Sequence, residues 1–100
     1  MSNRNANKLP AILMHRGEVT SVKDAIYRTG KSERWVRTVC QQYGLARQTV
    51  PHAPLEISMP ALEMVLHGDF EALERLRKGD RNHETVRRYL VHLSLLDRLA

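Results

Sequence analysis

The stretch Ser21 to Leu45, SVKDAIYRTGKSERWVRTVCQQYGL, constrains the fold of this chain more than any other part of it. Ser21 with Asp24 three residues on is the S/T-x-x-D/E signature of a helix start, where side chains satisfy amides that no earlier carbonyl can reach. Val22, Ala25 and Ile26 then fall at i, i+3 and i+4, one apolar side of a helix. Gly30 tolerates the positive φ that ends such a helix. Ser32 is placed to cap a second one. There Val36, Val39, Cys40 and Tyr43 recur at i, i+3, i+4 and i+7, which makes one buried stripe. Two short amphipathic helices across a Gly-Lys-Ser turn predict a helix-turn-helix.

The opposite face of the second helix follows from a step of roughly 100° per residue. It centres on Arg34, Thr38 and Gln41, flanked by Trp35, Arg37 and Gln42. Its nearby acid, Glu33, sits at the helix start, where the dipole favours negative charge. Long donor-rich side chains on such a face suit phosphates and base edges in a major groove. A merely solvated face has the same composition, so one helix of this kind decides nothing. The paired helices, the turn and the basic bias together point to nucleic acid. Trp35 borders both faces. It packs against the first helix or the following loop, or it meets a thymine methyl or a sugar.

The charge is unevenly placed. Of a formal net charge of +5, Met1 to His52 holds nine Lys/Arg against three Asp/Glu, whereas Ala53 to Ala100 holds seven against eight. The positive potential therefore belongs to the half with the two helices, the footprint expected of a polyanion binder. Other classes are disfavoured. No apolar run approaches the roughly 18 residues of a membrane span. The start, MSNRNANKLP, has no apolar secretory region. The lone Cys40 lies on the buried stripe and reads as a small core residue, which fits a reducing cytoplasm. His15, His52, His67, His83 and His92 show no zinc-ligand spacing with one another or with Cys40. There is no Gly-rich phosphate loop and no nucleophile elbow, and Glu71 and Glu74 read as solvated. No cofactor and no catalysis are expected.

One domain is expected from 100 residues. Met1 to Lys8 reads as a disordered arm. Leu9 to Val19 is ambiguous: Pro10 opens a short helix to Arg16 with Gly17 as its stop, or Ile12-Leu13-Met14 is a short buried strand. After Gly44, a C′ residue, the pieces Ala46–Thr49 and Leu55–Ile57 read as a hairpin wing around Pro51 and Pro54, with a plain linker as the alternative. Arg47, Gln48, Thr49 and His52 are its candidate phosphate or minor-groove contacts. Ser58 caps a helix with Ala61, Leu62, Val65 and Leu66 inward. Asp69 caps another with Phe70, Leu73 and Leu76. A last helix runs from about Glu84 to Leu99, with Val86, Tyr89, Leu90, Leu93, Leu96 and Leu99 on one side. The run Tyr89 to Leu96 is apolar nearly all round and must bury more than one face.

These residues carry a family resemblance. Arg28-Thr29-Gly30-Lys31-Ser32-Glu33-Arg34-Trp35-Val36-Arg37 resembles the R-T-G-x-S-x-R-x-I/V-R stretch of the mercury-resistance-regulator (MerR) type helix-turn-helix, and Gly44-Leu45 the G-L that closes its recognition helix. Ile57-Ser58-Met59-Pro60-Ala61-Leu62-Glu63-Met64-Val65-Leu66 is similar to the I-S-x-x-A-L-x-x-x-L that follows the wing in excisionases of phages and integrative elements. The resemblance covers roughly Thr20 to Gly68. It departs at the wing, where Pro51-His52-Ala53-Pro54-Leu55 replaces the usual Gly and aromatic residue, and beyond Gly68, where a minimal excisionase has no counterpart. It implies a mostly α, small winged helix-turn-helix with a two-stranded wing and extra C-terminal helices. Residues 9–68 would be the DNA-binding domain. Residues 69–100 would be an extension packed on it or used for self-association.

The expected function is sequence-specific binding of double-stranded DNA, as an excisionase-like recombination directionality factor or a small transcription regulator. The contact residues are Lys31, Ser32, Arg34, Trp35, Arg37, Thr38, Gln41, Arg47, Gln48 and Thr49. The expected partners are further copies assembling on DNA and a recombinase or RNA polymerase, with no membrane, in the cytoplasm at the nucleoid. The alternative is a protein-interaction module, an antagonist of another regulator, working through its apolar C-terminal helices.

Overall fold

The computed structural model describes residues 9–95. They form five α-helices and a three-stranded antiparallel sheet, with the helices predominating. A 3₁₀ turn, Arg16–Glu18, leads into strand β1, Val19–Thr20. Helices α1, Val22–Thr29, and α2, Glu33–Tyr43, follow. Strands β2, Ala46–Arg47, and β3, Glu56–Ser58, come next. Helices α3, Met59–Leu66, α4, Phe70–Arg77, and α5, Glu84–His92, complete the order.

The helix starts form where local chemistry dictates. The Ser21 and Ser32 hydroxyl oxygens accept the amides of Asp24 and Trp35, each at 3.0 Å. Ser58 and Asp69 accept those of Ala61 and Ala72 at 3.2 Å. Each of these bonds satisfies an amide that the first helical turn leaves without a carbonyl. Gly30 and Gly44 end α1 and α2 at φ 72° and 65°. At Gly44 a Cβ would also lie 3.4 Å from Arg77 Nη1, so the left-handed turn and a close approach coincide there.

Three expectations need correction. The first is the reading of Leu9 to Val19. Neither a helix from Pro10 nor a strand at Ile12–Met14 forms. The carbonyls of Pro10 and Leu13 are taken instead by Arg77 Nη1 and Arg81 Nη2, both at 2.9 Å. Two guanidinium groups from the C-terminal half thus replace the amides a helix would have supplied. The second is the sheet, which is not a two-stranded wing alone. Strand β3 is central, pairing with β2 (Ala46 opposite Ile57, Arg47 opposite Glu56) and with β1 (Val19 opposite Ser58, Thr20 opposite Ile57). The third is α5, which stops at His92. Ser94 turns to φ 60° and the Leu95 amide reaches back to the Leu90 carbonyl at 2.7 Å, a Schellman closure. The predicted arm, residues 1–8, and the apolar positions Leu96 and Leu99 lie outside the described residues.

One buried cluster joins all five helices. Ala25 of α1 and Val36, Val39 and Cys40 of α2 meet Leu62, Met64 and Val65 of α3, Leu73 and Leu76 of α4, and Val86, Tyr89 and Leu90 of α5. Leu45 and Ile57 from the strand region are fully covered in it. The apolar sides of α4 and α5 are therefore used within the chain.

Candidate nucleic-acid interface

Helix α2 is fixed on its inner side by Val36, Val39 and Cys40 and at its two ends by Ser32 and Gly44. Rotation about its axis is thereby set, and Arg34, Arg37, Thr38, Gln41 and Gln42 are all exposed. Arg34 makes no hydrogen bond or ion pair among the described residues. Arg37 places Nε 2.8 Å from Glu33 Oε2, one turn earlier. Trp35 is half-buried and packs on the core, and Lys31 Nζ lies 5.7 Å from its ring centroid. Such a cation–π contact holds the lysine beside the start of α2. Ser32 is occupied as the cap described above, so its oxygen faces its own helix.

The hairpin between β2 and β3 is built more tightly than its prolines suggest. The Ala53 amide donates to the Val50 carbonyl at 3.1 Å, and His52 has φ 72°. Pro51 at the second position and a positive φ at the third make this a type II turn. The Gln48 side-chain amide donates to the Ala53 carbonyl across its base. Arg47 and Glu56, directly opposite in the ladder, pair at 2.7 Å through Arg47 Nε. Thr49, Val50 and His52 remain exposed at the tip. The structure thus brings Lys31, Ser32, Arg34, Trp35, Arg37, Thr38 and Gln41 together at the turn and on α2. It sets Arg47, Gln48 and Thr49 on the separate hairpin. His52→Gly should raise stability by about 0.5 kcal/mol, because the relief of a left-handed non-glycine exceeds the entropy a glycine adds to the unfolded chain. Chemical denaturation of the two proteins checks this.

Two residues outside the predicted set stand beside these elements. Tyr27 on α1 is 90 % exposed, one turn from the Gly30 bend and at i+4 from exposed Lys23. Its position just off the Val22-Ala25-Ile26 stripe is the sequence signal for it. Arg77 is more hidden. Its side chain is 3 % exposed, with Nη2 2.6 Å from the Tyr43 carbonyl and Nε 3.3 Å from Glu74 Oε1. It places a cation at the C-terminal end of α2, where the helix dipole is negative. The Tyr43 ring itself lies tilted against that of Phe70 of α4, with centroids 5.1 Å apart.

The remaining reactive groups are held quiet. Burial pushes the Cys40 thiol up to about 11, which leaves it protonated and unreactive. Burial and donation to Asp69 Oδ2 at 2.8 Å push the Tyr89 hydroxyl up to about 12. Among the described residues no group of three or more His, Cys, Asp or Glu is arranged to hold a metal ion. Nor is any described helix long and apolar enough to cross a membrane. No protein-family model, curated protein or solved structure matches the chain.

Proposed function

We propose that this chain is a winged helix-turn-helix protein that binds double-stranded DNA sequence-specifically and performs no catalysis. Helix α2 is its recognition helix and the β2–β3 hairpin its wing. The observation that carries the reading is the exposed face of α2, where Arg34, without a partner among the described residues, stands beside Thr38 and Gln41 on a helix fixed at both ends. A bidentate arginine on guanine O6 and N7 is the commonest specific contact in a major groove. The excess of positive charge in this half of the chain supports the same reading.

The biological role follows as an excisionase-like recombination directionality factor or a small transcription regulator, with a recombinase or RNA polymerase as protein partner. Two or more copies bind adjacent sites, since a single module of this size buries only about 600–1,000 Å² on DNA. The test is a comparison of variants on a duplex selected by the wild-type protein from a randomised pool, and on a scrambled duplex. Arg34→Ala should lose about 1–3 kcal/mol on the selected duplex and relax its preference there. Lys31→Ala should weaken both duplexes alike, as a phosphate contact does. Equal losses on both duplexes for Arg34→Ala would remove its base-reading role.

A further inference from the structure

Two arginines of the proposed interface share one arrangement on unrelated elements. Arg37 on α2 and Arg47 on β2 each give Nε to a carboxylate, Glu33 at 2.8 Å and Glu56 at 2.7 Å. Neither arginine makes an Nη hydrogen bond among the described residues. All four side chains are about half exposed, so these pairs add little to the fold itself. The guanidinium group is planar, and its donors form a rigid fork. When one edge is held through Nε, the terminal edge bearing Nη1 and Nη2 is left with a fixed direction and two free donors. That edge matches two oxygens of a phosphate.

Resting on the DNA-binding reading above, we infer that Glu33 and Glu56 are positioning residues for DNA phosphates. Each holds its arginine through Nε so that the Nη edge meets the backbone without first giving up rotational freedom. The effect runs against simple charge counting. A carboxylate on a DNA-facing surface repels the polyanion, and its removal ordinarily tightens binding. Here removal releases the guanidinium group, and the loss of preorganisation exceeds the relief of repulsion.

The experiment measures affinity of the full chain for the selected duplex, with folding of each variant checked by its unfolding transition. Glu33→Ala and Glu56→Ala are each expected to weaken binding by about three- to fivefold, within the range that exposed ion pairs couple. Glu33→Gln and Glu56→Gln keep an oxygen acceptor for Nε and are expected to stay within about twofold of wild type. In an Arg37→Ala or Arg47→Ala background, the matching Glu→Ala change is expected to tighten binding slightly, because only repulsion remains to be removed. Single alanine variants that bind as tightly as wild type, or tighter, would show that the carboxylates merely cover the cations and would overturn the proposal. A wild-type protein that selects no duplex at all overturns the DNA-binding reading instead, so the two failures are distinct.

Discussion

Arg81→Met should lower the stability of this protein by about 3–5 kcal/mol at neutral pH. Glu18 is a buried carboxylate, 5 % exposed, and Arg81 grips both its oxygens at 2.6 and 2.8 Å while also donating to the Leu13 carbonyl. Methionine fills the space of the stem but leaves the carboxylate without its cation. The same contact makes stability depend on acid. Burial alone would raise the Glu18 carboxyl. The hydrogen bond from Arg81, the His15 amide and the nearby positive charges outweigh burial and hold it below its ordinary value of 4.5. A carboxyl depressed on folding contributes stability that is present above its unfolded value and lost as pH falls through the folded one. Wild-type stability should therefore decline below about pH 4.5. In Glu18→Gln that decline should be shallower, which urea titrations between pH 3 and 7 would show. An equal acid dependence in the two proteins would assign the decline to other carboxylates.

Arg77→Met is the second large effect, about 3 kcal/mol, because it strands the Pro10 and Tyr43 carbonyls that Arg77 holds at 2.9 and 2.6 Å. Its consequence reaches the interface. Tyr43 closes α2, so the loss should loosen the C-terminal turn of the proposed recognition helix as well as the N-terminal segment. Faster amide exchange at the end of α2, with the start of the helix unchanged, is the expected signature. Glu74→Gln serves as the control. The Glu74 carboxylate is half exposed, so this change should cost under about 0.5 kcal/mol. A cut after Asp80 would take away α5. It removes Val86, Tyr89 and Leu90 from the shared core, and the remainder should not fold.

The legible parts of this fold are those written in local chemistry. Ser21, Ser32, Ser58 and Asp69 cap because a hydroxyl or carboxylate reaches an amide three residues on. Val36, Val39 and Cys40 are buried because the helical period puts them on one side. Strand β1 was not legible. It is two residues long, and its partner, β3, lies far along the chain, so no periodicity marks it. No local pattern marks Arg77 and Arg81, whose carbonyl and Glu18 partners stand 34 to 68 residues away. Those long-range bonds also explain why Pro10 to His15 takes no regular structure despite a plausible helix start. At the candidate site, exposure of Arg34, Thr38 and Gln41 follows from the stripe opposite them. The Arg37 pairing is local, at i, i+4, whereas that of Arg47 needs the β2–β3 register. Pro51 reads as a break in the ladder but serves the type II turn, because His52 accepts the positive φ usually left to glycine.

The most direct test of the central proposal is selection of duplex DNA from a randomised pool by the wild-type protein, followed by affinity measurements on the winner at two salt concentrations. A sequence-specific binder should enrich a defined motif. It should prefer that motif to a scrambled duplex by about a thousandfold or more. The affinity should fall with salt as steeply as several phosphate contacts require. Enrichment of no motif, with only weak, salt-sensitive association to every duplex, would contradict the account.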